Sequence, residues 1–161
     1  MTTHRFAGLA FCLLGITGIA GPIHADTAAH TKAVIQAEYN SQNAAFARKD
    51  GVGALAYIAP DFCGTSLQGQ QIGRAERQAG MPQMFAMMKN GTMTTHIQQF
   101  ALQGRVSTVQ ATLYTNLTIQ DPRTGRIVSG VAEHVVRDIW AYNGRVWLLE
   151  RSQQLSVKRL R

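Results

Sequence analysis

Two cysteines, four prolines and five histidines are all that 161 residues contain of those types, and each scarcity removes a class of explanation. Cys12 lies in an apolar leader. Once that is gone Cys63 stands alone, so the remaining chain can form no internal disulfide. Cys63 follows Phe62 in a predicted strand, where a buried, inert thiol is the expectation. Only His96 and His134 lie well inside the chain, and neither His-x-x-His nor Cys-x-x-Cys spacing occurs. No metal site is therefore expected. There is no glycine loop for phosphate and no Gly-x-Ser-x-Gly elbow, and no cofactor is implied. Motifs of RNA-binding sheets, zinc fingers and helix-turn-helix domains are missing too, which argues against a nucleic-acid partner.

Long apolar runs are equally scarce, with one near the start. One base and no acid occupy residues 1–5, an apolar stretch of about fifteen residues follows, and then Gly21, Pro22, Ile23, His24 and Ala25. A membrane span needs about twenty apolar residues. The order of basic, apolar and small residues is that of a secretory signal peptide. Cleavage is expected after Ala25, leaving residues 26–161 as one domain, exported to the periplasm or secreted, with no membrane span. Acids are few as well, nine against sixteen Lys and Arg. Removing Arg5 leaves fifteen bases and a net charge of +6. Arg151, Lys158, Arg159 and Arg161 gather in a basic tail, read as solvated.

What remains is ordered simply. Residues 30–50 lack Gly and Pro and are rich in Ala, Gln and Glu, which predicts a helix. Ile35, Glu38, Gln42 and Phe46 share one of its stripes, and Gly51 is the expected left-handed stop. A short helix over 52–58, a strand over about 62–67 and a loop over 68–73 follow. The helical pattern at 74–89 is interrupted by Gly80 and Pro82, so a kink or two pieces are expected. Met81, Met84, Phe85, Met87 and Met88 cluster there, the adaptable filling of a core gap or a pocket wall. From Thr92 the composition turns to Thr, Val, Ile and aromatics. Strands are predicted at about 93–103, 106–120, 126–142 and 145–156. Turns fall at Gln103-Gly104-Arg105, at 121–125, and at Asn143-Gly144, where a type I′ hairpin is expected. The fold class is α+β: a curved antiparallel sheet covered by three N-terminal helices, with a pocket between the first helix and the sheet.

Several segments carry a resemblance. They are Ala44-Ala45-Phe46-Ala47-Arg48-Lys49-Asp50, Tyr57-Ile58-Ala59-Pro60-Asp61-Phe62, Gly73-Arg74, and Asp138-Ile139-Trp140-Ala141-Tyr142-Asn143-Gly144-Arg145-Val146. In this order and spacing they resemble the nuclear transport factor 2-like superfamily, and within it the SnoaL-like and steroid-isomerase-like proteins, over about residues 31–154. The resemblance implies a cone with a pocket, often in a homodimer. It also implies two hydrogen-bond donors to an oxyanion, a helix Tyr and a protonated strand Asp, and a second Asp as base. Counted onto this chain, those positions fall on Gln42, Asp138 and Ser66, so only Asp138 is kept and steroid-type isomerisation is not implied.

Alternation on the third long strand puts Ala132, His134, Val136, Asp138 and Trp140 on one face. If Asp138 points inward, so does His134, about 13 Å away along the strand and beyond a direct hydrogen bond. Asp138 beside Trp140 and the methionines would have a raised pKa, the arrangement also known from ketosteroid isomerase, a standard example of this effect. The alternative is pairing with a buried arginine or capping a turn. His134 is either a general base or a structurally satisfied side chain. Glu38 points to the pocket mouth or to solvent. Tyr39 and Tyr57 are read as core or rim, and His96 as exposed. The candidate catalytic pair is Asp138 and His134, and the candidate pocket residues are Gln42, Glu38, Phe46, Ser66, Trp140, Met84 and Met88. The functional expectation is an exported pocket protein for a small, largely apolar ligand. A cofactor-free acid/base enzyme, such as an isomerase or dehydratase, and a dimeric assembly module are the alternatives.

Overall fold

A computed structural model describes residues 25–160. The predicted leader, apart from its last residue Ala25, lies outside the described residues. Helix α1 (Ala25–Ala47) is followed by the single turn of α2 (Gly51–Ala54). Strands β1 (Ile58–Thr65) and β2 (Gln71–Gly73) form a hairpin that leads into α3 (Arg74–Met87). Four long strands then meander: β3 (Met88–Gln103), β4 (Val106–Gln120), β5 (Ile127–Tyr142) and β6 (Trp147–Arg159). The sheet order is β2-β1-β6-β5-β4-β3, an open, curved, mixed sheet. The meander is antiparallel as predicted, but β1 pairs with β6 in parallel, which strand composition alone does not reveal.

Helix α1 buries an i, i+3/i+4 stripe of Thr31, Ile35, Glu38, Tyr39, Gln42, Asn43 and Ala45. Much of that stripe is polar, and part of it is matched by β3, an edge of the sheet. The Gln36 amide donates to the Thr95 carbonyl (2.8 Å) and accepts from the Ile97 backbone N–H (3.2 Å), and Asn43 Nδ2 donates to Thr95 Oγ1 (3.1 Å). The edge strand thus finds on the helix the partners it lacks from a further strand. Beneath the stripe, Ile35 and Tyr39 pack on Val109, Ala111, Val136, Trp140 and Leu149 of the sheet.

Several local expectations are corrected. The left-handed residue after α1 is Lys49 (φ 60°), not Gly51, which opens α2. Asp50 caps that turn by accepting from Gly53 N–H at 2.9 Å. Helix α3 runs unbroken through Pro82, because Pro82 and Gln78 lie on the exposed side, where water can satisfy the carbonyl that proline leaves without a donor. The Asn143-Gly144 turn is not type I′: only Gly144 has positive φ (101°), and Asn143 Oδ1 accepts from the backbone of Arg145 and Val146 in a wider loop. Cys63 is half-buried, not buried. No described helix is long and apolar enough to cross a membrane.

Candidate functional site

Strand β5 turns His134, Val136, Asp138 and Trp140 inward, while Arg137 faces solvent. Their neighbours follow from register: Val109 of β4 and Ser152 of β6 flank Asp138. Ser152 reaches that position only because β6 bulges at Glu150, the extra residue between the pairs Trp140↔Leu149 and Ile139↔Arg151. The bulge reverses the alternation, so Leu149 and Ser152, three residues apart, both face inward.

Asp138 is 2% exposed. Its Oδ2 accepts a 2.5 Å hydrogen bond from the Tyr39 hydroxyl, which in turn accepts from Trp140 Nε1 at 3.0 Å. The Tyr39 and Trp140 rings meet edge to face, their centroids 5.0 Å apart. Asp138 Oδ1 has no partner within hydrogen-bond geometry. Burial raises the Asp138 pKa to about 6, against the opposing pull of the neighbouring Ser152 hydroxyl, the Tyr39 hydroxyl and the positive charge of Arg77. The Ser152 hydroxyl is close enough to act on the charge yet stands outside strict bonding geometry. Burial, followed by the charge of Asp138, pushes Tyr39 well above the usual phenol range.

In front of this carboxyl lies a cavity of about 250 Å³, roofed by α1 and α3 and floored by the sheet. Gln42, Phe46 and Met84 line it with Asp138, Tyr39 and Arg77. Gln42 is 9% exposed, and its Nε2 makes no hydrogen bond. A second chamber of about 280 Å³ adjoins the first, and Arg77, Leu113, Val136 and Ser152 belong to both. Ser66 and His134 line this outer chamber.

His134 is held on both ring nitrogens. Gln154 Nε2 approaches Nδ1 at 3.0 Å, and Thr115 Oγ1 approaches Nε2 at 3.3 Å. An amide NH₂ only donates, so Nδ1 is the bare nitrogen and Nε2 carries the proton. Burial lowers the His134 pKa, which keeps the ring neutral at pH 7.

Three predicted pocket residues line neither chamber. Trp140 is fully buried behind Tyr39, which intervenes. Met88 is buried at the start of β3, where its sulfur crowds Gly91. Glu38 is 7% exposed and points neither to a pocket mouth nor to solvent. Burial raises its pKa to about 7, against the opposing pull of the Trp147 backbone N–H, and its Oε2 has no partner. His96 is exposed beside Tyr114.

Sequence reasoning gave no site role to Arg77 and Ser152, and read Tyr39 as core or rim; it is core, and it also holds Asp138. Tyr39 was legible in principle, since it follows Ile35 by four and precedes Gln42 by three on the same helical face. Arg77 sits on a helix with no fully buried residue, so its pattern carried no signal. Ser152 depends on the bulge.

The architecture is that of the nuclear transport factor 2-like fold. A conserved protein from Planctomyces limnophilus shares it at a TM-score of 0.71 and 14% identity, over 82% of this chain and 99% of that one. A hexachlorocyclohexane dehydrochlorinase, LinA type 2, matches at 0.65 and 10% identity, over 83% and 90% of the two chains. A nuclear transport factor 2-like protein from Salmonella enterica matches at 0.62 and 10%, over 78% and 90%. No protein-family model matches the sequence, and no curated protein is significantly similar to it.

Proposed function

We propose that this protein is an exported receptor for a small, largely apolar molecule, held in the cavity between α1, α3 and the sheet. One observation carries the proposal: two buried polar atoms, Gln42 Nε2 and Asp138 Oδ1, are left without partners on residues that line one cavity whose other walls include Phe46, Met84 and Leu113. Leaving a buried polar group unpaired costs about 1–3 kcal/mol, a penalty that a ligand group reaching both would remove. Export rests on the leader sequence. Homodimerisation is supported by exposed aliphatic side chains where β4 ends and β5 begins, Ile119, Ile127 and Val128.

A thermal-shift screen of apolar compounds with about ten heavy atoms tests the proposal. Compounds that stabilise the wild type should bind at least tenfold more weakly to Met84→Trp, whose indole fills the inner chamber. A screen without ligands, or ligands indifferent to Met84→Trp, would count against the pocket.

A second reading, acid/base catalysis, is favoured by the unpaired Oδ1 of Asp138. With a pKa of about 6 this carboxyl is mostly ionised at pH 7, so it suits a proton acceptor better than the protonated donor that the resemblance implied. His134 suits the role less, because Gln154 occupies its free lone pair. The LinA dehydrochlorinase shows that the fold can carry elimination chemistry in another protein. Turnover by wild type that vanishes in Asp138→Asn while binding persists would establish this reading. Equal turnover by both would remove it.

A further inference from the structure

Arg77 stands where the two chambers meet and lines both. Its guanidinium lies 4.5 Å from the centroid of the Phe62 ring. Stacking of this kind leaves the N–H edges of an arginine free. Among the described residues, Arg77 donates no hydrogen bond and forms no direct ion pair; Asp138 acts on it only at longer range. A half-buried guanidinium without a protein acceptor is open to one from a ligand, and its partial desolvation lowers its pKa.

The outer chamber is built for the missing acceptor. Its other polar side chains are Thr65, Ser66, Thr115, His134, Ser152 and Gln154, and no carboxylate lines it. Ser66 Oγ accepts from the backbone of Gln68 and Gln70, which leaves its proton to donate. The inner chamber has the opposite character. Its walls include Phe46, Met81, Met84, Met93 and Leu113, and its one acid, Asp138, repels a second negative charge.

Building on the pocket reading above, we infer that the two chambers hold one ligand, a small carboxylic acid, with its carboxylate on Arg77 in the outer chamber and its body, apolar but for one group that reaches Gln42 and Asp138, in the inner one. A single guanidinium beside a neutral histidine matches a monoanion. A phosphate dianion would lack its second cation. The planar fork of arginine fits a carboxylate through two parallel hydrogen bonds. Asp138 then fixes polarity, since its charge disfavours the reversed pose.

Calorimetric titration at pH 7.5 with 1-naphthoate and its uncharged counterpart 1-naphthamide tests this, on wild type, Arg77→Gln and Arg77→Lys. Naphthoate should bind wild type about tenfold or more tightly than naphthamide, the value of one charged hydrogen bond. Arg77→Gln should lose the preference for the acid, binding naphthoate and naphthamide alike, with Arg77→Lys in between. Equal affinity of wild type for acid and amide, or a preference that survives in Arg77→Gln, overturns the inference while leaving the pocket in place. Failure of both compounds to bind any of the three proteins removes the acid ligand and the pocket together. If Arg77→Gln does not fold, the ratio in wild type and in Arg77→Lys still decides.

Discussion

Replacing Glu38 by glutamine should abolish a specific part of the pH dependence of stability. Glu38 has a folded pKa of about 7 against an ordinary 4.5, because burial opposes its charge more than the Trp147 N–H supports it. The folded state therefore prefers the protonated form. Stability from this preference is fully present below pH 4.5 and is lost as the pH rises through 7. A shift of about 2.5 units at about 1.36 kcal/mol each gives a loss of about 3 kcal/mol by pH 8. This is an upper limit, since Glu38 is shallowly buried and water relaxation near it reduces the penalty. Against a total of about 5–15 kcal/mol the effect is still large. Glutamine keeps the shape and the acceptor for Trp147 but cannot ionise. Urea unfolding of both proteins at pH 5 and pH 8 gives two differences in stability. The Asp138 contribution is common to both proteins and cancels. The variant should gain about 1–3 kcal/mol relative to wild type between the two pH values. An unchanged difference would refute the reasoning, because it would mean that Glu38 is as easily ionised folded as unfolded.

Two further substitutions probe the neighbouring packing. Tyr39→Phe removes the donor to Asp138 and the acceptor of Trp140 Nε1, which should destabilise by about 1–3 kcal/mol. It should also raise the Asp138 pKa above about 6, as followed by carboxyl carbon NMR; an unmoved titration would show that the bond does not hold the carboxylate. Gly91→Ala puts a methyl 2.5 Å from Met88 Sδ and 2.9 Å from Leu117 Cδ2. Both neighbours are side chains that can shift in part, so a loss of about 1–3 kcal/mol in urea unfolding is expected, and an unchanged midpoint would show that the site has slack.

The long strands were readable because turn chemistry bounds them. β4 runs over 106–120 as predicted, between Gly104 and Gly125, both with positive φ. β5 begins one residue later than predicted, at Ile127. Where a strand draws its definition from a distant partner, the local signal fails. Ala59, Pro60 and Asp61 look like the end of a helix, yet they belong to β1, which is defined by its parallel pairing with β6 across most of the chain. Pro60 is tolerated there because it is exposed. Met88 to Thr92 extend β3 backward, where methionine-rich sequence reads as helix. At the site, alternation could group His134 with Asp138 but could not say which face is inward. The parity change at Glu150 and the guanidinium of Arg77 are products of tertiary packing, without a periodic trace.

Helix α1 concentrates these conflicts. An ordinary core-facing helix presents an apolar stripe, whereas this one buries Glu38, Gln42 and Asn43 beside Ile35 and Tyr39. Asn43 is repaid by the edge strand and Tyr39 by Asp138, so neither is a penalty. The unpaid atoms are Glu38 Oε2 and Gln42 Nε2. They differ in kind. Gln42 lines the cavity, so a ligand can complete it, while Glu38 lines no chamber and nothing in the ligand hypothesis reaches it. If Glu38 also answered to the ligand, saturating ligand would raise the stability of wild type and of Glu38→Gln by different amounts. If the cavity is the reason for Gln42 alone, saturating ligand should raise stability equally in wild type and in Glu38→Gln. The two polar burials on one helix face then separate into a binding feature and an independent strain of the scaffold.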